Sequence, residues 1–284
     1  MKHFLLSFIM SFFMISGFSQ SSDTIIYKNA PERTLKLKIY YPENWKKTDS
    51  RKSIVFFFGG GWHSRNFDQF DLHAKYLAKR GMVSFVADYR VTIDDKNLTP
   101  ENCVMDAKSA IRYIRSHARD FGINPDSIAA SGGSAGGHLA AATACISKYN
   151  DPSDDLAISC VPNALILFNP VINNGPDGYG YDRVKDYYKS FSPTDNIYEG
   201  MPPTLIMVGT KDKYVSRKTV LDFQDRMIKH NNQCDIYYYS NQPHGFFNKG
   251  KIKDPQYFHR TFSAMISFLE GLNYIKPREN FIAE

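Results

Sequence analysis

The stretch Gly132-Gly133-Ser134-Ala135-Gly136 lies between two segments of different character. Before it, Asp126-Ser127-Ile128-Ala129-Ala130-Ser131 reads as a short strand. After it, His138-Leu139-Ala140-Ala141-Ala142-Thr143-Ala144 reads as a helix. A bare Gly-x-Ser-x-Gly pattern arises often by chance. Between a strand and a helix it describes a sharp elbow that lifts a serine hydroxyl above the helix N-terminus. Such a turn demands backbone angles that side chains oppose, and Gly132, Ala135 and Gly136 are small enough to allow it. The helix dipole favours developing negative charge at that point. Ser134 is therefore the candidate nucleophile.

Outward from the elbow, strand and helix patterns alternate. Residues 34–41 alternate polar with apolar side chains (Leu35, Leu37, Ile39), as an outer antiparallel strand does. Residues 53–58 and 82–87 are continuous apolar runs, the mark of buried parallel strands. Residues 128–131, 164–168, 204–208 and 234–239 continue the series, with helical patterns over 71–79, 100–121, 215–230 and 257–272. This alternation predicts an α/β fold, a mostly parallel central sheet with helices on both faces. Residues 173–196 break the rhythm. They hold several Gly and Pro together with Tyr179, Tyr181, Tyr187, Tyr188 and Phe191, and leave the same end of the sheet as the elbow. That places a small irregular lid loop near the substrate, with Tyr187 and Tyr188 as candidate contacts. The alternative is that these aromatics merely pack on the body.

The chain opens Met1-Lys2-His3, and residues 4–15 are almost wholly apolar. That run is too short to span a bilayer and reads as a secretory signal peptide over 1–19, cleaved after Ser19. Residues 20–284 then form a single α/β domain, secreted or periplasmic, with no stable membrane insertion. The net charge of +6 is modest and its lysines and arginines are scattered among acids, which argues against a nucleic-acid partner. Cys103, Cys145, Cys160 and Cys234 lack metal-site spacing, and the sequence leaves open whether they are disulfides or buried thiols.

A serine hydroxyl needs a base in contact, and the base needs an orienting acid. His244 lies just past the last strand in Asn241-Gln242-Pro243-His244-Gly245-Phe246, a tight loop suited to holding an imidazole over the elbow. His138 lies on the helix behind the elbow and points into packing. Asp212 follows the strand at 204–208 and completes the chain order Ser, Asp, His. Its alternative role is to cap the helix that starts near Val215. The tetrahedral intermediate carries an oxyanion that needs donors aimed at it beforehand. Phe58-Gly59-Gly60-Gly61-Trp62 leaves a core strand, and the amides of Gly60, Gly61 and Ala135 are the candidates. Trp62 and His63 on the same loop are candidate substrate contacts. No phosphate-binding Gly-x-x-x-x-Gly-Lys pattern occurs, so no nucleotide is expected, and this chemistry calls for no metal or other cofactor.

With Gly59-Gly60-Gly61-Trp62, Asp88-Tyr89-Arg90, Gly132 to His138, Asp212 and His244-Gly245-Phe246 together, the chain resembles an α/β-hydrolase esterase. It is similar to the hormone-sensitive-lipase-like branch and to bacterial feruloyl and acetyl esterases, over about residues 34–272. The resemblance implies the α/β-hydrolase fold and a structural role for Asp88-Tyr89-Arg90. Members of that branch usually carry histidine before the three glycines. Phe58 stands there instead, which leaves the placement of the loop open. The branch's large helical N-terminal cap has no counterpart, since residues 22–41 read as strand and turn. The expectation is a serine carboxylesterase acting on acetyl or feruloyl groups, on a small-molecule or polysaccharide ester. The rivals are an exported peptidase-like hydrolase acting on amides, and a non-catalytic binding protein on a hydrolase scaffold.

Overall fold

The computed structural model describes residues 22–252 and 254–277; the expected leader over 1–19 lies outside them. In chain order the elements are β1 (Ser22–Asn29), β2 (Thr34–Tyr40), β3 (Arg51–Phe57), α1 (Asp71–Lys79), β4 (Val83–Ala87), α2 (Pro100–Ser116), β5 (Ile123–Gly133) and α3 (Ala135–Cys145). There follow β6 (Ala164–Phe168), α4 (Tyr181–Val184), α5 (Tyr188–Phe191), a 3-10 turn (Pro193–Asn196), β7 (Thr204–Gly209), α6 (Arg217–Lys229), β8 (Cys234–Tyr239) and α7 (Gln256–Gly271). The strands form one sheet in the order β1-β2-β4-β3-β5-β6-β7-β8. β1 and β2 pair antiparallel, as do β2 and β4, and every later pairing is parallel. This is the α/β-hydrolase arrangement.

The alternation of side chains along the buried strands divides the core between the two faces. Val55 and Phe57 of β3, Leu165 and Leu167 of β6, and Ile206 and Val208 of β7 face α2, α3 and α6. Ile54, Phe56, Ile166, Phe168, Leu205 and Met207 face α1 and α7. Both sides of these strands are covered, which is why their sequences are apolar without a break.

Three expectations change. The strand over 34–41 is not outermost: β1 pairs outside it, with Ser22 opposite Tyr40. The α2 helix stops at Ser116 rather than 121, where the chain turns and Gly122 takes φ 58°. The irregular segment 173–196 folds into short helical turns rather than an open loop. The hairpin of β1 and β2 is pinned by buried polar contacts. The Tyr27 hydroxyl donates to the Asp88 carbonyl at 2.6 Å, and Lys28 pairs with Asp106 at 2.7 Å. Arg90 donates to both Asp106 oxygens and to Glu32. Asp88-Tyr89-Arg90 thus acts as scaffold. All four cysteines are buried free thiols.

Candidate active site

Five strands deliver their following loops to one edge of the sheet, the carboxyl edge where ligands bind in folds of this type. β3 leads into Gly59-Gly60-Gly61, β5 into Ser134, β6 into Asn169, β7 into Asp212 and β8 into His244. Ser134 holds φ 55° and ψ −120°, a conformation that costs a non-glycine residue about 1–3 kcal/mol. Surrounding hydrogen bonds hold it there. Its amide donates to the Phe168 carbonyl at 2.9 Å, and its carbonyl accepts from His138 at 3.0 Å and Val171 at 3.2 Å. The flanking glycines are required by contact. A Cβ on Gly132 would lie 2.3 Å from the Gly136 carbonyl oxygen, and one on Gly136 would lie 2.1 Å from that of Phe57.

His244 Nε2 lies 2.8 Å from Ser134 Oγ, and His244 Nδ1 lies 2.8 Å from Asp212 Oδ2. The Asp212 carboxylate is fully buried. Its other oxygen accepts from the amides of Tyr214 and Val215, each at 2.9 Å. The capping role weighed for Asp212 falls instead to Ser216, the N-cap of α6, and Asp212 holds the turn before that helix with the oxygen that does not face His244. Those amides fix the carboxylate plane, so the imidazole is oriented by a group that cannot swing. His138 is buried behind the elbow as expected. Its ring stacks on Phe191, and burial pushes its pKa down to about 4, against the opposing pull of the Phe191 carbonyl.

The glycine loop is held from several sides. Tyr89 stacks on Phe58 at 4.0 Å and donates its hydroxyl to the Phe58 carbonyl at 2.6 Å. This is how the loop stays anchored with phenylalanine in the histidine position. The Gly59 amide donates to Gln69 Oε1 at 2.6 Å. The Gly60 carbonyl accepts from His63 and Ser64, and the Gly61 carbonyl accepts from Arg183 at 2.6 Å. A Cβ on Gly59 would stand 3.4 Å from that of Ser134, so the loop abuts the elbow. Gly60 takes φ 138° and Gly61 φ 62°, and both line the cleft over Ser134. Ala135 opens α3, where the first amides have no partner within the helix.

The cleft holds about 870 Å³. Besides Ser134 and His244, its walls include Asn66, Gln69, Asn169 and Asn248, the rings of Tyr179, Tyr214, Phe247 and Phe258, and Leu72. The four residues expected to meet substrate are not among them. Trp62 is wholly buried, packed edge-on against His138 and Phe191 beneath the Arg183 guanidinium. His63 turns outward, with Nδ1 2.9 Å from Thr92 Oγ1. Tyr187 packs against Phe191 and Tyr149, and Tyr188 against Tyr181. Tyr187 and Tyr188 border a separate depression beside Lys148 and Lys185. The cause is hydrophobic: the α5 turn directs its aromatics onto the body. From that segment Tyr179 reaches the cleft, its hydroxyl over Gly61. Tyr214, Asn169, Gln69 and Asn248 escaped the sequence reading. Tyr214 lies two residues after Asp212, and that place was the available signal.

The BD-FAE family model matches residues 37–163, which contain the glycine loop and the elbow. The dienelactone hydrolase family model matches residues 178–272, which contain Asp212 and His244. Esterase 2 of Thermogutta terrifontis, solved in its apo form, is 41% identical, with a TM-score of 0.86 over 90% of this chain and 97% of that one. It has also been solved with propionate bound, with butyrate bound and phosphorylated by paraoxon. An acetylxylan esterase of Xylanibacter ruminicola is 28% identical over 225 residues, 73% of this chain and 42% of the relative. The arylacetamide deacetylase of Bos taurus is 32% identical over 151 residues, 51% of this chain and 36% of the relative. The chain thus spans less than half the length of these two relatives. Fold, site and similarity define a carboxylic ester hydrolase. The chain belongs to the α/β-hydrolase esterases.

Proposed function

We propose that this esterase works through Ser134, His244 and Asp212, with the amides of Gly60, Gly61 and Ala135 as its oxyanion hole. The reading rests above all on one observation: His244 stands 2.8 Å from the Ser134 hydroxyl on one side and 2.8 Å from the Asp212 carboxylate on the other. His244 Nε2 takes the hydroxyl proton as Ser134 Oγ attacks the ester carbonyl. Asp212 accepts from Nδ1–H, keeps the tautomer and stabilises the imidazolium that forms. The three amides stabilise the negative oxygen of the tetrahedral intermediate. His244 then protonates the leaving alcohol, and water activated by the same imidazole clears the acyl-enzyme.

The substrate we propose is a short acyl ester, acetyl first and feruloyl second, on a carbohydrate alcohol. Short acyl groups suit a relative solved with propionate and with butyrate, and the alcohol follows the similarity to an acetylxylan esterase. The carboxamide of Asn66 and the rings of Tyr179 and Tyr214 make a wall suited to a hydroxyl-rich group. We further propose export through the leader over 1–19, motivated by the apolar run at 4–15.

A substrate panel tests the reading: p-nitrophenyl acetate, butyrate and octanoate, acetylated xylan, methyl ferulate and a peptide anilide. The acetate should be hydrolysed with a higher kcat/KM than the octanoate, acetate should be released from xylan, and the anilide should remain intact. Preference for octanoate with no acetate released from xylan would refute the substrate assignment.

A further inference from the structure

We propose that Gln69, acting with Asn248, is a positioning residue that locks the oxyanion loop to the histidine loop; this rests on the triad assignment above. Gln69 Oε1 accepts from the Gly59 amide at 2.6 Å, and Gln69 Nε2 donates to Asn248 Oδ1 at 2.9 Å. Asn248 Nδ2 donates to the Gly245 carbonyl at 2.9 Å. The Gly245 amide in turn donates to Asn169 Oδ1 at 3.0 Å, and Asn169 Nδ2 lies 3.4 Å from His244 Nε2. Two carboxamides thus bridge the residue before the oxyanion glycines and the residue after the base. The partners Gln69 and Asn248 are 179 positions apart in the chain.

The direction of this relay is dictated by chemistry. A backbone N–H can only donate, so Gln69 must offer its oxygen to Gly59 and its NH2 to Asn248. Asn248 must then accept with its oxygen and donate to Gly245, whose carbonyl can only accept. The relay starts at an obligatory donor and ends at an obligatory acceptor, so flipping either amide breaks two bonds. Carboxamides also stay neutral while His244 gains and loses its proton. A carboxylate at position 69 would still accept from Gly59 but would have nothing to donate to Asn248. The value of the tie is geometric. The oxyanion donors and the base act on one carbonyl, and productive arrangements hold to within about 0.5 Å. Misplacement by about 1 Å costs on the order of 100-fold in rate.

Gln69 and Asn248 also line the cleft, so a substrate contact is the competing role. The two roles separate in the kinetics, because a lost contact to the substrate ground state raises KM whereas a displaced oxyanion loop lowers kcat. The test uses the full chain with p-nitrophenyl acetate and the variants Gln69→Glu, Gln69→Ala, Asn248→Ala, the double alanine variant and Ser134→Ala, each with its thermal midpoint. Each single clasp variant should lose about 10- to 100-fold in kcat, with KM changed by no more than about twofold. Gln69→Glu, nearly isosteric, should be as slow as Gln69→Ala at a similar thermal midpoint. The double variant should be no slower than the worse single one, because either removal already opens the relay. Multiplying losses, a rise confined to KM, or wild-type kcat in Gln69→Glu would overturn the clasp. Turnover retained in Ser134→Ala would overturn the triad and the clasp together. An inactive Ser134→Ala beside unimpaired clasp variants would overturn the clasp alone.

Discussion

Ser134 and Asp212 each meet two demands at once. Ser134 accepts a strained backbone so that its hydroxyl faces His244, and Gly132 and Gly136 make room for the turn. Asp212 faces the imidazole with one oxygen and ties down the following turn with the other. In Asp212→Asn the oxygen can keep the two amides, which places NH2 against His244 Nδ1. The imidazole must then carry its proton on Nε2, the wrong side for accepting from Ser134. We expect kcat to fall by about 10⁴-fold with thermal unfolding little changed, measured by steady-state kinetics and calorimetry. Near-normal turnover would place the acid elsewhere. These residues were legible because their types and flanks are dictated by chemistry. Trp62, Tyr187 and Tyr188 were misread because a loop aromatic's direction, core or cleft, depends on what packs beneath it. For Trp62 and Tyr187 that is Phe191, and for Tyr188 it is Tyr181, which no spacing encodes.

At the scale of elements, the buried parallel strands were legible as unbroken apolar runs, and the helices α1, α6 and α7 were legible by their period. β1 was harder to place, since Ile26 is half exposed and an edge strand has one partner to satisfy. The packing of α1 and α7 on the sheet conceals an acid-sensitive group. His73 of α1 is enclosed by the rings of Phe56, Phe70, Phe168, Phe258 and Phe262, with centroids 5.1 to 6.1 Å away. Neither ring nitrogen has a hydrogen-bond partner among the described residues. Burial pushes its pKa from 6.5 down to about 3, so the folded state keeps it neutral. The unfolded chain takes up the proton below about 6.5, so the stability from this group is intact above that pH and declines as pH falls toward 3. His138, at about 4, acts in the same direction. Each amounts to roughly 2 kcal/mol at pH 5. His73→Leu should therefore shrink the loss of stability between pH 8 and pH 5 by about that amount in denaturant titrations. An unchanged loss would contradict the buried neutral imidazole.

For the whole molecule, the strand order makes the site. β3 lies between β4 and β5, which sets the glycine loop beside the elbow, and β6, β7 and β8 follow in turn with Asn169, Asp212 and His244. The alternation of elements announced a mostly parallel sheet, and the chain order Ser, Asp, His pointed to the three side chains that the hydrogen bonds of His244 link. The tie between Gln69 and Asn248 was not legible, because it depends on two loops meeting across the finished fold and neither carries a local pattern for it. On the proposed mechanism this fold activates one serine. Paraoxon tests it directly, since attack by an activated Oγ on phosphorus forms the Oγ–P bond and expels p-nitrophenolate, and a similar esterase has been solved phosphorylated by this compound. Mass spectrometry after stoichiometric treatment should find one diethylphosphoryl group per chain, on the peptide containing Ser134, with activity lost in proportion and no label on Ser134→Ala. Labelling on another residue, or equal labelling of Ser134→Ala, would contradict the account.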